Sequence, residues 1–166
     1  MDIVARAERI MGMDDDAWAR HANPWSVYSR FSCLPLIVLA IWSRVWIGWW
    51  CLIPLAAALF WTWYNPRAFA APLTTDSWAS KGVMGERIYL ARNLRPIPSH
   101  HIRMAHMLMW LSGGGMVVLL FGVIVLDPWA TVAGLIGTIM PKVWFVDRMV
   151  WLYTDMQDEV RSGAPR

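Results

Sequence analysis

The side chains whose types and spacing could do chemistry are four histidines and a few carboxylates: His21, His100, His101 and His106, with Asp76, Glu86, Asp147 and Asp155. Imidazole and carboxylate ligands around one centre make a metal site. His100, His101 and His106, joined by an acid from a neighbouring helix, would supply one. The spacing is not diagnostic, because repeated His boxes are absent and so is the H-E-x-x-H pattern of zinc proteases. Haem ligation wants a histidine facing a bundle interior, and only His106 falls inside an apolar run, near its edge. The plainer reading makes these histidines interfacial groups that hydrogen-bond backbone or headgroups.

A second constellation lies near the C-terminus. Trp144, Arg148, Trp151 and Asp155 recur at i, i+4, i+7 and i+11, which is one helical stripe. Asp147 sits beside it and, so close to hydrocarbon, should seek a partner such as Arg30, Lys142 or a histidine. A border ion pair of this kind is a site candidate for a proton, a lipid headgroup or a quinone-like ligand. Structural pairing that fixes helix register is the simpler role. No phosphate-cradling G-x-x-x-x-G-K-[ST] loop and no G-x-S-x-G elbow occurs, so nucleotide hydrolysis and acyl transfer by those routes have no support.

The elements that must position these groups are apolar. Of the 166 residues, 57% are hydrophobic and 16% charged, against about 45–50% and about 25% in soluble domains. The excess has to face lipid. Four Trp-rich runs carry it: Phe31–Ser43, Val45–Tyr64, Met104–Leu126 and Trp129–Val146. Thirteen Trp are too many for one small core, and amphipathic indoles favour membrane–water interfaces; Trp25, Trp42, Trp46, Trp61, Trp144 and Trp151 are the expected anchors. A spanning helix needs about 20 residues. Val45–Tyr64 and Met104–Leu126 meet this. Phe31–Ser43 is short and lies between Arg30 and Arg44, while Trp129–Val146 contains Pro141 and Lys142, so its last turn should be kinked or wet.

Basic residues decide the count. With four spans, every Lys and Arg except Arg44 falls on one side, which places both termini in the cytoplasm of a prokaryotic inner membrane. Three spans would set the N-terminal arginines against the central ones. The expected fold is therefore an all-α, integral membrane four-helix bundle of two transmembrane hairpins joined by a cytoplasmic amphipathic loop. Its divisions are 1–24 (N-terminal segment), 25–64 (first hairpin), 65–101 (loop), 102–153 (second hairpin) and 154–166 (tail).

Local signals fit this plan. Asn23 caps a helix opening at Pro24, Asp127 caps one opening at Pro128, and Asn65-Pro66-Arg67 should end the second span. Thr75-Asp76-Ser77 offers a cap before Trp78, and the apolar side of the following segment predicts a helix lying on the membrane surface. Gly113, Gly114 and Gly115, with Gly134 and Gly137, should let the third and fourth spans approach closely, although triple glycine equally suits a hinge. Cys33 and Cys51 fall toward opposite faces, which disfavours a dithiol relay. No signal peptide is evident, and Asp14–Asp16 following Met11 and Met13 make residues 1–12 a candidate upstream extension.

His21-Ala22-Asn23-Pro24-Trp25-Ser26, Trp42-Ser43-Arg44-Val45-Trp46, the Asp76 to Arg87 loop and Asp147-Arg148-Met149-Val150-Trp151-Leu152-Tyr153 together resemble an uncharacterised family of small bacterial and archaeal membrane proteins. The resemblance covers about residues 13–156 and implies no known activity. The leading expectation is a non-enzymatic accessory or structural subunit acting through helix and lipid contacts, as a homo-oligomer or within a larger complex, with no cofactor required. The net charge of +3 suits anionic lipid better than nucleic acid. The alternatives are a metal- or haem-dependent redox enzyme using His21, His100, His101, His106 and Asp147, and a small transporter using Asp147 and Arg148.

Overall fold

Where apolar residues run unbroken the backbone must satisfy its own hydrogen bonds, and every described element is a helix. The computed structural model describes residues 15–162; the candidate extension 1–12 and the last four residues of the tail lie outside them. In chain order the helices are α1 (Asp15–His21), α2 (Pro24–Arg30), α3 (Cys33–Trp42), α4 (Arg44–Ile47), a 3-10 turn (Gly48–Cys51), α5 (Leu52–Ala68), α6 (Trp78–Leu90), α7 (Ser99–Val125) and α8 (Pro128–Ser162).

Three helical stretches are long and apolar enough to cross a membrane: Pro24–Ala68, Ser99–Val125 and Pro128–Asp158. The first unites two of the four apolar runs. Its break falls at Ser43–Cys51, where Gly48 takes a φ of 55° that side chains resist. Hydrogen bonds then join the two arms in reversed order: Trp61 Nε1–H donates to Ser32 Oγ (3.3 Å), Asn65 Nδ2–H to Ser29 Oγ (2.6 Å), and Ser26 Oγ–H to Asn65 Oδ1 (3.4 Å). The short run Phe31–Ser43 is thus prolonged by α2. At the other end α5 continues through Pro66 to Ala68, four residues past Tyr64, where the second apolar run closes.

α7 and α8 lie side by side at backbone distance. A Cβ on Gly115 would strike the Gly137 backbone, one on Gly134 that of Leu119, and one on Gly122 that of Ala130 and Thr131. Gly113 and Gly114 face open space. Close packing therefore uses one glycine of the triplet. Between the helices Leu126 adopts the left-handed conformation (φ 58°), Asp127 N–H returns to Gly122 O (2.9 Å), and Asp127 Oδ1 accepts from Ala130 N–H (2.6 Å). Arg44 reaches across to donate to Val123 O (2.7 Å), so the break at Ser43–Cys51 sits beside this turn. α8 continues through Pro141 for 35 residues in all. Pro141 leaves the Gly137 carbonyl without its helical donor, and Ser112 Oγ–H donates to the next carbonyl, Thr138 O (3.0 Å), tying α7 to α8 at that turn.

The loop expected to lie on the membrane surface packs on protein. Ser77 caps α6 by accepting from Ser80 N–H (3.0 Å), and Gly82 and Gly85 bring its backbone against Val146 and Met149 of α8. Glycine leaves no side chain to cover, and the open groove is filled by the neighbouring helix. α1 closes over the same end through Trp18 and Ala22, and Ser80 Oγ–H donates to Ala22 O (2.7 Å).

Replacing Gly115 by Ala should destabilise the fold by about 1–3 kcal/mol because backbones must part, whereas Gly113→Ala should be neutral or stabilise by about 0.5–1 kcal/mol. Thermal unfolding of both variants in mild detergent checks the contrast.

Candidate functional site

The chemistry-bearing residues do not converge on one point; they divide into separate groups at the end of the molecule remote from the α7–α8 turn. Pro98 opens α7 in an extended conformation, so His100 and His101 occupy its first turn. His101 is 3% exposed, and its Nε2 lies 2.9 Å from Asp155 Oδ2 on α8. The His100 ring centroid is 4.1 Å from that of His101. One ligand atom from each of His100, His101 and Asp155 falls within 4.8 Å of the others, which is a two-imidazole, one-carboxylate set of the kind that divalent transition metals take. His106 is exposed and outside this group.

Asp147 finds a different partner from those expected. Its Oδ1 accepts the indole N–H of Trp78 at 3.0 Å, because α6 docks with its first residue beside α8. Lys142 lies instead 3.8 Å from Glu86. Arg148 stands over the Trp151 ring at 5.9 Å, with its Nε buried and unpartnered among the described residues. Of the expected interface anchors, Trp25, Trp46, Trp144 and Trp151 are exposed, whereas Trp42 and Trp61 turn inward and donate to Thr131 and Ser32.

His21 and Arg30 line a partly open cavity of about 410 Å³ between α1, α2, α6 and α8. Arg30 Nη2 donates to His21 O (3.3 Å) and to Ser26 Oγ (3.2 Å), which aims the guanidinium along the wall. Glu86 and Lys142 line the far side, and Val27, Phe31, Leu90 and Val146 complete it with apolar surface. Two buried donors here have no acceptor among the described residues: Arg30 Nε and the indole Nε1 of Trp18, a residue only 3% exposed. Burial, reinforced by the nearby Arg30 charge, lowers the His21 pKa to about 4. The imidazole is therefore neutral near pH 7, and the fixed cavity charges are Arg30 and Lys142 against Glu86.

Trp18 was not singled out by sequence, although it lies one helical turn before His21. Buried Asn65 was read as part of a helix stop and proves to be the hub joining Ser26 and Ser29. The i, i+3, i+6 spacing of Ser26, Ser29 and Ser32 on one face was the available signal.

The His21 shift has a definite pH consequence. The folded state refuses a proton that the unfolded state accepts at its ordinary value of about 6.5. Stability should be unaffected above that value and fall as pH drops from about 6.5 toward 4. Melting temperatures of wild type and His21→Gln between pH 7.5 and 4.5 should diverge in that window, with the variant less pH-sensitive.

No curated protein and no solved structure matches the chain. The sequence profile of a family of unknown function, DUF6653, matches residues 2–165. The match takes in nearly the whole chain, which therefore belongs to the family of unknown function DUF6653.

Proposed function

We propose that this protein is a polytopic inner-membrane protein with four crossings, formed by α2–α3, α5, α7 and α8, and with both termini in the cytoplasm. It acts without catalysis, as an accessory or structural subunit that assembles through helix and lipid contacts. The observation carrying this reading is the apolar surface left outside. In the most apolar 18-residue windows of the three long stretches, 11%, 22% and 28% of residues are buried. Trp49, Trp110 and Trp129 are more than four-fifths exposed. Patches of this extent are tolerable only against lipid or another protein.

The crossings are supported by the reversed pairing across Ser43–Cys51 and by the contact of that break with the α7–α8 turn, which puts both connections at one end. The charge pattern supports the orientation, because Arg44 alone among the basic residues lies at that end. At helical rise α8 is about 50 Å long, beyond the roughly 30 Å of hydrocarbon, so its last turns would project with Asp147, Arg148 and Asp155.

Membrane fractions washed with alkaline carbonate should retain the protein. In intact cells, with Cys33 and Cys51 replaced by Ser, a membrane-impermeant thiol reagent should label a cysteine placed at Trp46 and spare one placed at Asp76. Release by carbonate, or labelling at Asp76 alone, would contradict the reading.

A second reading rests on the His100, His101 and Asp155 cluster: a divalent metal bound at the cytoplasmic edge of α7 and α8. Zinc titration of the purified chain should show one site per chain in the micromolar range or tighter, weakened about tenfold or more by Asp155→Ala. Equal zinc uptake by wild type, H100A and D155A would exclude it.

A further inference from the structure

We infer that the cavity between α1, α2, α6 and α8 binds the phosphate group of an anionic phospholipid, with Arg30, Lys142 and the Trp18 indole N–H as its donors. This rests on the membrane reading above, since a lipid is available only to a chain at the bilayer. The cavity carries its own indication of a ligand. Trp18 is almost wholly buried, yet its N–H has no acceptor among the described residues, and Arg30 Nε shares that condition in the same cavity. A buried donor left without an acceptor costs free energy, and two such donors belong to residues that line this one cavity, which favours an occupant that brings oxygen atoms within reach.

The charge and the walls narrow the chemistry. Arg30 and Lys142 outnumber Glu86, and a planar guanidinium suits a phosphate better than a neutral ligand. His21 adds no charge near neutral pH. The remaining lining is Val27, Phe31, Val83, Leu90 and Val146, which offers nothing to a small hydrated anion. A second cavity of about 300 Å³ shares Glu86, Leu90 and Lys142 with the first and passes to Leu108, Met109 and Phe145 on α7 and α8. Leu90, Leu108, Met109, Pro141 and Phe145 give it apolar walls beside Glu86, Ser112 and Lys142, and Tyr89, whose buried hydroxyl has no partner among the described residues, lines it too. Two adjoining, largely apolar cavities with Arg30 in the first and Lys142 between them match an acyl chain and an anionic head. Their place near the cytoplasmic ends of the proposed crossings is the depth of lipid headgroups.

The test uses the full chain, delipidated in mild nonionic detergent and titrated with short-chain phosphatidylglycerol, short-chain phosphatidylcholine or inorganic phosphate. Native mass spectrometry counts the bound molecules. Wild type should hold one phosphatidylglycerol per chain, bound about tenfold tighter than phosphatidylcholine, with inorganic phosphate a weak competitor. Arg30→Gln should weaken binding about tenfold, and the milder Lys142→Gln and Trp18→Phe each about threefold. Lys142 is half-exposed, so its variant should fold even if Arg30→Gln does not. Glu86→Gln removes the opposing charge and should tighten binding, a gain that a purely structural role would not give.

Equal phosphatidylglycerol affinity in wild type and all folded variants would overturn the assignment. Inorganic phosphate competing at comparable affinity would assign the site to a soluble anion and overturn the lipid source. Failure of the cavity is separable from failure of the membrane reading: a chain retained after carbonate washing with unaltered variants fails only the former, whereas a chain released by carbonate fails the latter.

Discussion

Everything in this molecule leans on the close approach of other backbones to α8. Gly115 and Gly122 of α7 and Gly82 and Gly85 of α6 each leave room where a single methyl group would meet α8 main chain or side chain. Where apolar surface faces lipid, burial supplies little drive for helix association, so dispersion contacts at backbone distance must hold the helices together. Those contacts are short-range, and they fix α6 and α7 in register on α8. The positions of His101 against Asp155, Trp78 against Asp147 and Glu86 against Lys142 follow from that register.

α8 consequently serves two environments with one continuous helix. Its first half meets α7 through Gly134 and Gly137, with apolar side chains outward. Its second half carries Lys142, Asp147, Arg148 and Asp155, and each of these is met by a residue from α6, α7 or α8 itself. Pro141 marks the passage between the halves. The Ser112 hydroxyl, donating to the Thr138 carbonyl, ties α7 to α8 there. The polar cavity lies beside the polar half of α8, and two of the four buried polar atoms without a partner among the described residues belong to its lining.

Much of the architecture was legible in the sequence because caps and hydropathy act locally. Asn23 before Pro24, Ser77 before Trp78 and Asp127 before Pro128 all cap helices at those positions. What sequence could not reveal depends on which faces meet. The α6 segment reads as amphipathic, and nothing local says that its glycines are a docking face rather than weak points in a surface helix. Asp147 was expected to find a cation because unpaired charge near hydrocarbon is costly; an indole N–H meets it instead, a partner brought from 69 residues away. Among the histidines, linear proximity grouped His106 with His100 and His101, but helical geometry turns it outward and recruits Asp155. Trp18 gave no sign of its role because a buried donor without an acceptor exists only once the surrounding helices are in place.

The most direct measurement is disulfide formation between α6 and α8 in native membranes, using Gly82→Cys with Val146→Cys in a chain whose Cys33 and Cys51 are replaced by Ser. A Cβ at Gly82 comes within 2.6 Å of Val146 Cγ1. Rapid intramolecular crosslinking under mild oxidation, with none for an Asp76→Cys, Val146→Cys control, is the predicted result. Free thiols in the Gly82 pair, or crosslinks only between chains, would contradict the docking on which the candidate sites are built.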